Sequence, residues 1–175
     1  MRSPRVSVVM SVYNDERYVG AAVESILEQT FEDFEFIIVN DGSTDRTREI
    51  LSAYNDSRIK IFDQQNRGLT FSLNRGLSLA RGEYIARMDG DDLSMPERFA
   101  REVTFLDENP RVGLVGTFAH RMDSRGRRIN LYTYKTQPAE IRENLWVDCP
   151  FCHSAVMYRK ACIDLVGGYR PRIGP

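Results

Sequence analysis

The chain has 175 residues, of which 42% are hydrophobic and 28% charged, which suits one domain with a core of ordinary size and excludes wholesale disorder. Its 24 Lys and Arg against 25 Asp and Glu exclude the broad positive field that draws proteins onto nucleic acid, so an anionic ligand must be met by local features. Three cysteines make no disulfide framework, and no signal peptide or membrane-length apolar run is seen, so the expectation is a cytoplasmic chain with reduced thiols.

Arg5 to Val12 is a β-rich run, and Asn14 supplies a candidate N-cap for a helix carrying Val19, Ala22, Val23, Ile26 and Leu27. Phe34 to Val39 reads as a second strand, closed by Asn40-Asp41-Gly42-Ser43, and Ile50, Leu51 and Tyr54 mark the next helix. Ile59 to Phe62 is a short strand. Leu69, Leu73, Leu77 and Ala80 predict a helix stopping near Gly82, and Tyr84 to Met88 a strand. Ser94-Met95-Pro96-Glu97 then has the spacing of a capping box before the apolar stripe Phe99, Val103 and Leu106. Val112 to Phe118 returns to strand. This alternation predicts an α/β fold, Rossmann-like, with a mostly parallel sheet covered by helices on both faces. Beyond Ala119 the pattern loosens into a hairpin turn at Asp123–Arg127, a helix from Pro138 to Trp146 and a strand from Ser154 to Tyr158. No repeat or linker divides the chain, so 1–175 reads as a single domain.

In open parallel sheets ligands bind beyond the carboxyl ends of the strands, and two of these ends are acidic here. Asp41 follows the second strand; an isolated Asp-Gly more often builds an Asx turn, here into the helix start at Ser43 and Thr44. Asp89-Gly90-Asp91-Asp92 places three carboxylates within four residues, a repulsion that calls for a cation or several donors. Such oxygens suit Mg²⁺ or Mn²⁺, with Gly90 permitting the turn that lets Asp89 and Asp91 face one ligand. A solvated acidic loop preceding a helix is the competing explanation. On adjacent strand ends, Asp41 and this cluster would suit the two ends of one nucleotide. Because no Gly-rich phosphate cradle is present, its phosphates would need a metal.

Five ordered motifs carry a family resemblance: Val8-Val9-Met10-Ser11-Val12-Tyr13-Asn14, Val39-Asn40-Asp41-Gly42-Ser43-Thr44-Asp45, Asn66-Arg67-Gly68 with Leu73-Asn74-Arg75-Gly76-Leu77, Ala80-Arg81-Gly82-Glu83-Tyr84-Ile85, and Met88-Asp89-Gly90-Asp91-Asp92. Together they resemble the family 2 inverting glycosyltransferases of GT-A fold. The resemblance implies transfer of a sugar from a nucleoside-diphosphate sugar, with a UDP-sugar as leading donor, to a glycan or lipid-linked acceptor hydroxyl in polysaccharide or glycan biosynthesis. It implies that Ser11 and Tyr13 line the nucleoside pocket, that Asp41 hydrogen-bonds the base, that Asp89 meets the ribose or the metal shell, and that Asp91 coordinates a Mn²⁺ or Mg²⁺ bridging the phosphates. Residues 1–118 would form the nucleotide-sugar-binding half and 119–175 the incomplete start of the acceptor-side half. Peripheral contact with the inner face of the membrane fits a lipid-linked acceptor.

The chain departs from the pattern in three places. Ser11 replaces a common proline. Leu73 stands where an arginine is frequent, which makes Arg67 the candidate replacement cation. The acidic base that usually follows a segment like Gly167-Gly168-Tyr169 is expected after Pro175, so the chain reads as C-terminally truncated. Asp148 and His153 are the substitute candidates. A donor-binding fragment without turnover is therefore one alternative. A metal-dependent nucleotidyltransferase is another, although it should carry a basic Gly-rich loop after the first strand. Cys149-Pro150-Phe151-Cys152-His153 has the letters of a redox or haem motif, but its place before a strand favours ordinary thiols. Trp146 reads as a core residue, with a sugar-stacking platform as the alternative, and Arg125, Arg127 and Arg128 read as a solvated hairpin tip.

Overall fold

A computed structural model describes residues 2–170. In chain order it contains β1 (Val6–Val12), α1 (Val19–Leu27), β2 (Phe34–Asn40), α2 (Thr47–Ser52), β3 (Ile59–Asp63), α3 (Leu69–Leu79), β4 (Tyr84–Asp89) and α4 (Arg98–Glu108). There follow β5 (Leu114–Gly116), β6 (Ala119–Met122), β7 (Arg128–Tyr132), α5 (Pro138–Asn144), a 3-10 turn at His153–Ala155, β8 (Val156–Arg159) and α6 (Lys160–Val166). The main sheet has the order β3-β2-β1-β4-β8-β5, and β6 and β7 form a separate hairpin. β1 to β4 are parallel; β8 pairs antiparallel with both β4 and β5.

Alternation along the central strands sorts the core into two layers. Val8, Met10, Val12, Phe36 and Ile38 pack with α1, α2 and α4 on one face, while Val9, Ile37, Val39 and Ile85 pack with Leu73 of α3 on the other. Burial on both sides is why β1 and β2 read as nearly unbroken apolar runs. Each fully buried Val or Ile contributes about 1.5–3 kcal/mol, enough in sum to tolerate a few polar side chains in these layers. Gly76 brings α3 close: a Cβ there would stand 2.4 Å from Cγ1 of Val9.

One of those polar groups is Glu35 on β2. Its carboxylate accepts from Lys60 Nζ at 2.6 Å, Ser7 Oγ at 2.7 Å and the Arg81 backbone N–H at 2.8 Å, with the Arg81 guanidinium on Oε2. Burial opposes its charge, but these donors prevail and hold its pKa at about 2. The network ties β1, β2, β3 and the turn into β4 together at the end of the sheet opposite Asp41 and Asp89.

Several local expectations are corrected by long-range contacts. Asn14 does not cap α1, which begins at Val19; it adopts φ 56° and its Oδ1 accepts the Thr44 N–H at 2.8 Å, joining two loops. The Ser94–Glu97 capping box does not form. Gln29, after α1, donates Nε2 to Ser94 Oγ at 3.1 Å and accepts the Phe99 N–H of α4 at 3.0 Å, so a distant side chain supplies the cap. The strand expected over 112–118 shortens to Leu114–Gly116 and is antiparallel to β8. β8, from the stretch after residue 118, returns into the sheet between β4 and β5. Trp146 is no core residue, being 92% exposed. Arg98 of α4 pins this repaired edge by donating to the carbonyls of Arg87 at 2.9 Å and of Val156 and Ser154 at 3.1 Å.

Candidate functional site

The chain builds outward from β1 to β2 and β3, then returns to the other side of β1 as β4. α1, α2 and α4 lie on one face and α3 on the other, and the strand order reverses at β1, the place where open parallel sheets bind ligands beyond their carboxyl ends. Ser11 pairs with Val39 on one side and Asp89 on the other. Asp41 and Asp89 are thus not on neighbouring strand ends: they flank β1, about 10 Å apart by two strand spacings.

Asp41 is 2% exposed and fully engaged. Oδ1 accepts from Gln64 Nε2 at 2.6 Å and from the Arg67 N–H at 3.0 Å, and Oδ2 from the Gly68 N–H at 2.8 Å. Burial raises its pKa, but these donors outweigh it and hold the carboxyl below its usual value. The Asx-type turn is made by its neighbour instead, Asn40 Oδ1 accepting the Ser43 N–H at 3.2 Å. Asp41 thereby fixes the Asn66-Arg67-Gly68 loop. Arg67 itself is exposed, its guanidinium 4.4 Å above the Phe71 ring. Ser11 is half-buried near the end of β1, and Tyr13 just after it is 48% exposed.

At the end of β4, Asp89, Asp91 and Asp92 each offer an oxygen, and these oxygens lie within 4.8 Å of one another. Three carboxylates this close could hold a hard divalent cation. Asp15, not singled out from sequence, adds a fourth carboxylate below them. Its Oδ2 accepts the Tyr13 N–H at 3.1 Å, and burial together with Asp91, Asp45 and Asp89 raises its pKa. Asp92 is likewise raised, first by burial and then by Asp89 and Asp91, against a hydrogen bond from Ser154. Gly90 is required for closeness and not for a left-handed turn. A Cβ there would lie 2.8 Å from both Asp15 Oδ2 and Val12 Cγ1.

Next to this cluster stands Arg87, which the sequence reading did not single out. Arg87 is 2% exposed and reaches Asp89 Oδ2 through Nη1. Asn74 of α3 grips the Tyr169 backbone twice at 2.8 Å, accepting its N–H and donating to its carbonyl. This places the Tyr169 hydroxyl 3.0 Å from His153 Nε2 and 3.4 Å from the Tyr158 hydroxyl. Burial and then the Arg87 cation lower the pKa of His153, with Asp89 opposing. Asp148 does not join these residues. It accepts the Cys149 N–H at 2.7 Å and lines a groove of about 670 Å³ with Tyr132, Tyr134 and Lys135. The base expected after Pro175 lies outside the described residues. Cys149, Cys152 and Cys162 are free, and among the described residues they form no metal-ligating group. Arg127 closes the hairpin tip on Asp123 at 2.8 Å, in keeping with a solvated turn. No helix among the described residues is long and apolar enough to cross a membrane.

The sequence model of Glycosyl transferase family 2 matches residues 7–166. The putative glycosyltransferase EpsE of Bacillus subtilis (strain 168) is 38% identical over 172 residues, 95% of this chain and 60% of the relative. The crystal structure of S. aureus TarS 1-349 matches with a TM-score of 0.76 at 25% identity, covering 95% of this chain and 50% of the other, and TarS has also been solved with UDP-GlcNAc. The mannosyltransferase PcManGT from Pyrobaculum calidifontis, in complex with GDP-Man and Mn²⁺, matches at TM-score 0.72 and 22% identity over 99% of this chain and 50% of its own. The fold is GT-A. The chain spans roughly half the length of these relatives, between 50% and 60%.

Proposed function

Because this chain belongs to glycosyl transferase family 2, we propose that it forms the donor side of an enzyme moving a sugar from a nucleoside-diphosphate sugar to an acceptor hydroxyl in glycan or polysaccharide synthesis, with inversion. The observation that carries the reading is the convergence of Asp89, Asp91 and Asp92 within 4.8 Å beside the strand where the order reverses. A divalent cation held there by Asp91 would offset the negative charge that grows on the departing diphosphate. Residues 1–118 would bind the donor, with Asp41 holding the Arg67 loop and meeting the base, and Ser11 and Tyr13 lining the nucleoside pocket. Residues 119–175 would begin the acceptor side. As the acceptor oxygen bonds to the anomeric carbon, the carbon–phosphate-oxygen bond breaks and the acceptor proton passes to a general base. A UDP-sugar is the first donor to test, which the TarS complex with UDP-GlcNAc supports.

Calorimetry with UDP-, GDP- and dTDP-sugars, with and without Mn²⁺, tests the reading. One donor class should bind in a Mn²⁺-dependent way that Asp91→Ala abolishes. Failure of every nucleotide to bind, or unchanged Mn²⁺-dependent binding in Asp91→Ala, overturns it. Turnover is assayed with the full-length protein.

A further inference from the structure

Two sequence motifs without a role so far, Leu73-Asn74-Arg75-Gly76-Leu77 and Gly167-Gly168-Tyr169, meet through Asn74 and Tyr169, 95 residues apart. Asparagine is a weak helix former, so its place in the middle of α3 calls for a contact that needs it. The Asn74 amide pairs with the Tyr169 peptide as a neighbouring strand would, Oδ1 accepting the N–H and Nδ2 donating to the carbonyl, each at 2.8 Å. Gly167 and Gly168 permit the approach: both have positive φ, 83° and 84°, and a Cβ on Gly168 would stand 2.6 Å from Asn74 Oδ1. One helix thus holds two loops, because Asp41 grips Gly68 just before α3 and Asn74 within it grips Tyr169.

The clip seats the Tyr169 hydroxyl 3.0 Å from His153 Nε2 and 3.4 Å from the Tyr158 hydroxyl, with the Tyr169 and His153 rings edge to face. Tyr158 is buried, and among the described residues Tyr169 is the hydrogen-bond partner of its hydroxyl. An unused O–H there would be costly, so Tyr158 donates to Tyr169, and Tyr169 gives its own hydrogen to His153 Nε2. Burial raises the pKa of both phenols, while the bond between them raises Tyr158 further and lowers Tyr169, the signs expected when Tyr158 is the donor. An imidazole that accepts at Nε2 carries its hydrogen on Nδ1. His153 is also close to the acidic cluster: Ser154, next in the chain, donates to Asp92, and Arg87 and Asp89 are the charges that act on His153.

We propose that Asn74 and Tyr169 are positioning residues that commit His153 to donate from Nδ1, so that it binds an oxygen of a sugar substrate and is not the general base. This inference rests on the donor-site reading above.

Nitrogen NMR of the imidazoles tests the first half, and the chain's two histidines are told apart with His120→Gln. With His153 neutral, its Nδ1–H form should exceed the Nε2–H form by roughly fivefold or more, the scale of one hydrogen bond. In Asn74→Ala, and in Tyr169→Phe, which keeps the backbone clip, that preference should vanish. A merely structural clip would cost stability in Asn74→Ala and leave the wild-type preference in Tyr169→Phe. That preference unchanged in Tyr169→Phe, or a dominant Nε2–H form in the wild type, overturns the proposal; where Asn74→Ala fails to fold, Tyr169→Phe decides. Transfer by the full-length protein tests the second half. His153→Ala should lower kcat/KM roughly tenfold, more for whichever substrate, donor or acceptor, supplies the oxygen. His153→Asn, whose amide N–H can stand near the Nδ1 position, should recover most of the loss. Asparagine no better than alanine, as for a general base, overturns the proposal, and so does wild-type kcat/KM in His153→Ala. A wild type that binds no nucleotide sugar sinks the donor-site reading instead, and the tautomer ratio still judges the clip.

Discussion

Asp41→Asn separates what this carboxylate does for the fold from what it does for a nucleotide. In the ligand-free protein it accepts three hydrogen bonds, from Gln64 and Arg67 on one oxygen and Gly68 on the other. Asparagine keeps one acceptor. Turned to serve Gln64 and Arg67, its amide faces the Gly68 N–H donor to donor, leaving a buried N–H unsatisfied at a cost of about 1–3 kcal/mol. Losing the negative charge weakens the other two bonds as well, for a total of about 2–4 kcal/mol. For a chain of this size that lowers Tm by roughly 4–16 °C. Thermal and urea unfolding without ligand measure it, and hydrogen exchange at the Arg67 and Gly68 amides should quicken with it. A loss below about 0.5 kcal/mol, with unchanged exchange, refutes the claim that Asp41 anchors the loop. Loss of nucleotide binding in this variant would then report base recognition directly, whereas a destabilised variant must be compared at a temperature where its loop is still closed.

Glu35 predicts an acid transition. Its pKa falls from the usual 4.5 to about 2, so its stabilisation is complete above 4.5 and drains away as pH falls toward 2. The shift corresponds to about 3 kcal/mol, and Glu35→Gln should lose that much at pH 7 while flattening the pH dependence of urea midpoints between 4.5 and 2.5. Parallel pH curves for the two proteins would exclude this network as the source. Gly90→Ala drives a Cβ to 2.8 Å from Asp15 Oδ2 and Val12 Cγ1, so the acidic loop must move. Stability should fall by about 1–3 kcal/mol and Mn²⁺ affinity about tenfold; calorimetry showing wild-type values for both would refute the packing argument.

The parallel half of the sheet was legible because its signal is local. Short apolar runs mark β1 to β4 and helical spacings mark the helices between them, although α1 starts at Val19 and not after Asn14, and carboxylates stand just beyond two of the strands. The misses share a different cause. Gln29 caps α4 from 70 residues away, an interaction that overrides Ser94-x-x-Glu97 and leaves no trace in either segment. β8 pairs Tyr158 with Ile85 across the sheet, and no periodicity in a four-residue strand announces such a partner. Asp15 looked like one more loop acid, and Arg87 like an irregularity in an apolar strand. Of the candidate site residues, Asp41 and the Asp89–Asp92 cluster stood out because charge at a strand end is unusual by itself. The residues that support them, Gln64, Asn74 and Tyr169, acquire meaning only through contacts.

Strand order joins these observations. Had β4 paired next to β3, Asp89 would end a strand far from β1, and Ser11, Tyr13 and Asp15 would face no acidic partner. By returning beside β1, the chain sets Asp41 and Asp89 on opposite flanks of one strand, a separation on the scale of a nucleoside. The two sides differ in kind. Around Asp41 both carboxylate oxygens already accept hydrogen bonds from the 64–68 segment, which hold the group ionised and in place. Around Asp89, four carboxylates meet one buried arginine, and the remaining charge repels a diphosphate unless a cation arrives with it or before it. Donor and cation binding should therefore be mutually dependent: whichever binds second gains from the first, by the same factor in either order.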